Sequence, residues 1–311
     1  MKKAVLIAVP AIVLVIAGIA LAMTFSAARL PVDDSTPLEV QLPPMTTAGV
    51  SLSALLAGEM ESKAGMAYRG GALGETRVFQ MGAILVRHPT GALLFDTGFG
   101  ADVDAHIKTT PLLMRATASY RKQPTVAEQL RGAGFDVNTL IGVVITHAHW
   151  DHVSGLPDLG RISVMLPKEE LAFIEGEDPA AALIRSFETV SYAPYNFLHG
   201  PYLGFDRSFD VYGDGAIVIV PAPGHTPGSI IAFVNTSDGK RYALIGDLVW
   251  QKEGIDLPAE RPWASRRMVD GDPQAVRDLI VRLHRLQQQM PELTIVPAHD
   301  ARVWAGLPRF Q

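Results

Sequence analysis

"LIGVVITHAHWDH" (residues 140–152) runs from a largely aliphatic stretch straight into three histidines and an aspartate. The six residues 140–145 predict a short buried strand. His147, His149, Asp151 and His152 then fall in the loop after the strand end. Imidazoles crowded in this way repel one another once protonated, so the cluster is costly unless something organises it. A divalent cation does so, because neutral imidazole and carboxylate suit Zn, Mn, Fe or Co. His147 and His149, two positions apart, can chelate one ion. Asp151 and His152 are adjacent, point elsewhere and can hold a second.

Three more candidates share that context. His225 lies in "VPAPGHTPGS" (220–229), after the apolar run 216–220. Asp247 ends "ALIGD" (243–247), and His299 lies in "TIVPAHD" (294–300). Loops beyond strand ends, on one edge of a layered sheet, are where open sites form. The rest of the chain agrees with a layered body. Residues 77–88 and 92–96 read as a hairpin around "PTG", 125–135 as a helix with a glycine stop, and 162–167 as a further strand. A second strand-rich half covers 208–247. The longest helical pattern is 272–289, with Asp272 or Gly271 as its cap and Pro273 in its first turn. Two batches of strands, each followed by helices, predict an α/β body of two sheets packed face to face.

The ordered set "HAHWDH … GHTPGS … GD … AHD" resembles the metallo-β-lactamase superfamily, and "LFDTG" (94–98) matches its early strand ending in Asp-Thr-Gly. The resemblance spans roughly residues 76–300. It implies an αββα sandwich of two mixed sheets with the site along one edge. It implies that His147, His149 and His225 bind one metal ion, that Asp151, His152 and His299 bind another, and that Asp247 bridges them. Asp96 is read either as an orienting partner behind a ligand or as a plain turn cap. The cofactors implied are two divalent metal ions, Zn first, with Mn, Fe or Co as alternatives. Two such ions share a water and lower its pKa toward 7, which yields hydroxide without a protein nucleophile. Asp247 and Asp151 are the candidate catalytic carboxylates.

The complete ligand set without cysteine resembles the branch of N-acyl homoserine lactonases and methyl-parathion-hydrolase-type enzymes. The expected reaction is hydrolysis of a lactone or another small, largely apolar ester. An organophosphate or aryl-ester hydrolase and a non-catalytic metal-binding member are the alternatives. Many lactonases of this kind place a tyrosine shortly after the bridging aspartate, where this chain has Trp250 in "GDLVWQ". Indole offers one N–H donor and a large apolar face. That favours an aromatic-walled pocket. The aromatic stretch 190–205, read as a loop, either shapes the pocket or covers the sheet. Residues 98–123 read as a lid or an interface arm.

Outside this domain, assigned to residues 76–311, the chain divides in two. Residues 1–28 read as a signal peptide or an N-terminal membrane anchor. Lys2 and Lys3 precede an uncharged apolar run from Ala4 to Met23, and Ser26-Ala27-Ala28 is a small-residue site that a signal peptidase could accept. Residues 29–75, rich in Pro and Thr at their start, read as a linker or arm. The expected location is outside the cytoplasm, periplasmic or anchored to the inner membrane. A formal net charge of −5 gives no basic face for nucleic acid, and the lack of cysteine excludes disulfides and thiolate ligands. The expected partners are a small-molecule ester or lactone, a membrane if the segment is uncleaved, and a second copy if the chain dimerises.

Overall fold

The structure is a computed structural model. It describes residues 15–311 apart from 34, 36, 37, 39, 42, 45–48 and 189. The first sheet contains β1 (Ser51–Lys63), β2 (Thr76–His88), β3 (Gly91–Phe95), β4 (Ser119–Lys122), β5 (Leu140–Val144), β6 (Ser163–Pro167) and β7 (Ser191–Tyr195), in the order β4-β1-β2-β3-β5-β6-β7. The second contains β8 (Phe209–Asp210), β9 (Ile217–Pro221), β10 (Ile230–Asn235), β11 (Arg241–Leu244) and β12 (Leu293–Val296), in the order β12-β11-β10-β9-β8. Both sheets are mixed. β3, β5, β6 and β7 run parallel in the first, and β11 and β12 in the second; the other pairs are antiparallel.

Burial explains why the sheets stack. Leu93, Phe95 and Val144 of the first sheet meet Ile219, Ala232 and Leu244 of the second in one buried layer. The strands of both sheets are also apolar on their outer faces, so helices must cover them. Over the second sheet lies the helix Pro273–Gln289. It buries Val276, Leu279, Ile280, Leu283 and Leu286, one stripe at helical spacing. Its start is as expected: the Asp272 carboxylate accepts from the amides of Gln274 and Ala275, with Pro273 in the first turn. The first sheet is covered by shorter helices. One of them, Val126–Gly132, is closed by a reciprocal capping box between Thr125 and Glu128. The result is the αββα sandwich.

Two expectations need correction. Residues 51–63, placed in a linker or arm, form β1, which pairs with β2 along its whole length and with β4 on its other side. "SLSALLAGEMESK" shows no alternation because the strand is buried on both faces from Leu52 to Leu55 and again at Ala57. The stretch 190–205 is not all loop. Ser191–Tyr195 is the outermost strand of the first sheet, paired in parallel with β6.

At the N-terminus a helix covers 15–25, and its residues 15–23 are all exposed. Among the described residues, no helix is long and apolar enough to cross a membrane. The first part of the apolar run and the two lysines fall at positions 1–14, outside the described residues.

Candidate active site

The parallel strands end on one edge, and the polar residues of the sequence motifs gather there. β5 ends at Val144, and Thr146, His147 and His149 follow. The chain then turns into a short helix, Trp150–Val153, which carries Asp151 and His152. His225 follows β9, Asp247 follows β11 and His299 follows β12. All seven side chains expected at the site converge. The donor atoms of His147, His149 and His225 lie within 4.8 Å of one another, as do those of Asp151, His152 and His299, and those of His147, His152 and Asp247. Asp247 stands between the groups. Its Oδ1 is 2.8 Å from His299 Nε2 and 3.3 Å from His152 Nε2, and its Oδ2 is 3.6 Å from His225 Nε2.

A surrounding set of partners fixes which ring nitrogen faces inward. His152 donates from Nδ1 to Asp96 Oδ2 at 2.8 Å. Asp96 also accepts from the Thr146 amide at 2.7 Å and the Thr146 hydroxyl at 2.9 Å. It holds a left-handed φ of 57°, a conformation aspartate tolerates better than most residues. Asp96 is therefore an orienting partner of a site imidazole. Because the Thr146 proton goes to Asp96, its oxygen is free to accept from His147 Nδ1 at 3.1 Å. His225 donates from Nδ1 to Asp270 at 3.0 Å, and His299 donates from Nδ1 to the Gln80 carbonyl at 2.9 Å. Each of these four rings is left with Nε2 facing the common centre. Among the described residues, Nε2 of His147, His152 and His225 and Oδ1 of Asp247 are buried without a hydrogen bond. Buried polar atoms are nearly always satisfied, so four such atoms aimed at one space are the donor arrangement that a cation would satisfy. Three imidazoles on one side, and two imidazoles with a carboxylate on the other, are a donor set that fits divalent cations.

The charges differ across the site. Burial, reinforced by neighbouring imidazoles, holds His147 and His149 well below the ordinary histidine range. Burial also opposes charge on His152, but the carboxylates of Asp96, Asp247 and Asp151 outweigh it and hold His152 well above that range. His299 is raised for the same reason, against its burial, chiefly by Asp247. Asp247 itself is held well below the usual carboxylate range, because His299 and His152 outweigh its burial.

Several functional residues were not legible from the sequence. Glu170, fully buried in the helix Lys168–Glu175, accepts from the Ala148 amide at 2.6 Å, the Thr226 hydroxyl at 2.7 Å and the Gly228 amide at 2.9 Å. One carboxylate thus ties the loop of His147 and His149 to the loop of His225. The approach demands glycine at 228, where a Cβ would lie 2.2 Å from the Glu170 nitrogen. Arg261, also buried, donates to Asp270 at 3.0 Å and to the Asp247 carbonyl. Its guanidinium stacks 4.5 Å over the Trp250 ring. Trp250 spends its single N–H on Asp247 Oδ2, at 2.8 Å.

A cleft of about 260 Å³ opens beside these groups, and His149, Asp151, His225, Asp247 and His299 line part of it. The remaining wall is mostly apolar. Phe79 and Trp250 meet edge to face at 5.9 Å, and Met60, Met66, Met81, Met114 and Met268 complete it. The segment read as a lid or interface arm is part of this wall, through Thr109, Thr110, Pro111 and Met114. No residue of 190–205 lines it. Tyr195 and Phe197 instead pack between the sheets, and Phe205 packs on Phe233 outside the second. Those rings cover the sheets and do not shape the pocket.

The family model for the metallo-beta-lactamase superfamily matches residues 78–299. The chain belongs to the metallo-beta-lactamase superfamily. Within that superfamily, a probable metallo-hydrolase of Mycobacterium tuberculosis is 29% identical over 239 residues, 70% of this chain and 73% of the relative. The N-acyl homoserine lactonase AttM of Agrobacterium fabrum is 26% identical over 230 residues, 72% of this chain and 83% of the relative. Among solved structures, an N-acyl homoserine lactone hydrolase with N-hexanoyl-L-homoserine at its catalytic metal centre superposes with a TM-score of 0.65. It shares 16% identity and covers 86% of this chain and 98% of its own. Membership in the superfamily and the hydrolase relatives support a hydrolytic enzyme.

Proposed function

We propose that the chain holds two divalent cations, Zn first among the candidates, and hydrolyses a lactone or another small, largely apolar ester. One observation carries the reading: three buried imidazole Nε2 atoms and one carboxylate oxygen converge with no hydrogen bond among them. His147, His149 and His225 would hold one ion, Asp151, His152 and His299 the other, and Asp247 would face both. When bound, such a pair supplies an acidified water and polarises the oxygen under attack.

The chain's own residues do the rest. Asp96, Asp270 and the Gln80 carbonyl fix the tautomers of His152, His225 and His299. Trp250 fixes Asp247 by its Oδ2 and leaves Oδ1 free for the centre. Asp151 lines the cleft with its side chain still 13% exposed, so its carboxylate is placed to pass a proton to the leaving oxygen. The methionine and aromatic wall excludes water and seats the apolar part of the substrate. The lactonase relatives favour a lactone. The Phe79–Trp250 wall supports a second reading, an aryl ester or organophosphate with a flat leaving group. We also propose, from the N-terminal segment, that the body works outside the cytoplasm.

The test is a hydrolysis panel on metal-replete protein: acyl-homoserine lactones, simple lactones, aryl esters, a phosphotriester and a β-lactam. Turnover of lactones or esters with two metal equivalents per chain is the expected result. His149→Ala should abolish that turnover and lower the metal content while the melting profile of the metal-free protein stays close to the parent's. Unchanged turnover in that variant would remove the site.

A further inference from the structure

The exposed N-terminal helix and the cleft share one piece of the body. The Arg69 guanidinium donates to the Met23 carbonyl at 3.0 Å and to the Ser26 carbonyl at 3.3 Å, and the Gly70 amide donates to the Phe25 carbonyl at 3.1 Å. The contact is close enough that a Cβ at Gly70 would lie 2.9 Å from that of Ala27. The small-residue stretch Ser26-Ala27-Ala28 is therefore packed against the folded body. The Leu30 amide bonds the Pro258 carbonyl at 2.8 Å, and the Arg69 amide bonds the Glu260 carbonyl at 2.9 Å. Beyond Glu260 comes the helix Trp263–Val269, whose Ser265 hydroxyl donates to the Met66 carbonyl at 2.7 Å. Met66, Ser265, Met268 and Val269 all line the cleft. Three residues of chain span at most about 11 Å, so the cleft wall at Met66 lies within that reach of Arg69.

The same platform carries unpartnered apolar surface. Val15, Ile16, Ile19 and Met23 are 56–62% exposed, and Trp263 and Leu73 on the body are 50% and 54% exposed. The apolar run Ala4–Met23 has the length of a bilayer span, about 20 residues. Its last residue, Met23, is the one Arg69 holds. A bilayer around that run puts Arg69 beside the headgroups, and the exposed Leu73 and Trp263 flank the same segment along the chain; the interface is the depth at which tryptophan is favoured.

We propose that this platform rests on a phospholipid bilayer in which the uncleaved N-terminal segment is embedded, so that the cleft takes lipophilic substrate directly from the lipid. The substrate route rests on the hydrolase reading, but the membrane geometry can be measured without it. Trp150, Trp250 and Trp304 are buried, which leaves Trp263 as the one exposed tryptophan among the four. The full chain is reconstituted in phosphatidylcholine vesicles whose acyl chains carry bromine either near the glycerol or near the chain end. Bromine near the glycerol should quench an emission component that the chain-end label spares and that Trp263→Phe removes. A protein that does not float with the vesicles, that is processed after Ala28, or whose exposed tryptophan is unquenched overturns the proposal, whatever the chain hydrolyses. For the route itself, Trp263→Glu should lower turnover of a long-chain lactone dissolved in the vesicles at least tenfold and leave a short water-soluble lactone unchanged. Equal effects on both, or none on either, overturn direct uptake from lipid even if the quenching is seen.

Discussion

His147 and His149 stand on the same sheet edge as His152 and His299, yet the two pairs carry opposite electrostatic bias. The first pair is driven toward the neutral form by burial, reinforced by imidazole neighbours. The second is hemmed by Asp96, Asp151 and Asp247 and is driven toward the charged form. The difference separates two ways of burying donor atoms. Around His147 the protein supplies lone pairs and leaves the positive charge to come from outside. Around His152 it supplies surplus negative charge, which holds the imidazoles of His152 and His299 toward the protonated form. The first half therefore favours neutral imidazoles and the second charged ones. Asp247 touches both halves and is the group on which the contrast turns.

The most damaging change to that arrangement is Asp247→Asn. It removes the one carboxylate facing both halves and should cost at least about 3 kcal/mol of transition-state stabilisation, a loss of about a hundredfold or more in kcat/KM. Kinetics within a few-fold of the parent would break the claim that the halves share a carboxylate.

The next change sharpens the neutral half alone. Burial outweighs the hydrogen bonds from Thr226, Ala148 and Gly228 and pushes the Glu170 carboxyl up to about 7 from an ordinary 4.5. The folded protein therefore binds this proton more tightly than the unfolded chain. The associated stability is full below about pH 4.5 and is lost as pH rises to about 7, roughly 3 kcal/mol in all. Denaturant unfolding of the metal-free parent and of Glu170→Gln should differ by a pH-dependent amount across that window. Parallel curves would show that Glu170 does not titrate there.

Trp250→Phe is the mildest of the three. It keeps the apolar wall but removes the donor to Asp247 Oδ2 and weakens the seat of the Arg261 guanidinium. A hydrogen bond to a charged group is worth about 1.5–3 kcal/mol. The expected result is a fall of about tenfold or more in kcat with KM little changed. A rise in KM alone would instead make Trp250 a wall residue only.

How much of this could be read from the chain follows from where each residue sits. The seven converging residues were legible because they cluster just beyond strand ends, and four of them fall within six positions, although Asp151 and His152, expected in a loop, stand in the short helix Trp150–Val153. The outer partners were not. Glu170 stands beside Glu169 in the first turn of a charged helix, and nothing in "PKEELAFIE" says which of the two is buried. Asp270 lies in "VDGDPQ", where Asp272 caps the helix, and nothing in that stretch marks Asp270 as the residue that holds His225. Asp96 fits two roles on sequence alone, because a turn cap and a partner behind a ligand leave the same residue in the same place; its bond to His152 decides for the partner. The fold was legible wherever strands alternated or ended in turns. It failed at β1, where burial on both faces erases the period that identifies a strand, and at β7, where one proline and two tyrosines in a parallel edge strand resemble an irregular segment.

Five thioethers in one cleft give the wall a property that a rigid aliphatic lining lacks. Unbranched and polarisable, methionine reshapes around differently sized guests at little cost, so one pocket can serve a family of related molecules. The same softness is a vulnerability. A peroxide converts each sulfur to a sulfoxide, which turns a dry wall polar without touching a single residue of the imidazole cage. Oxidative damage to this protein should first show as lost grip on the greasy end of its substrates.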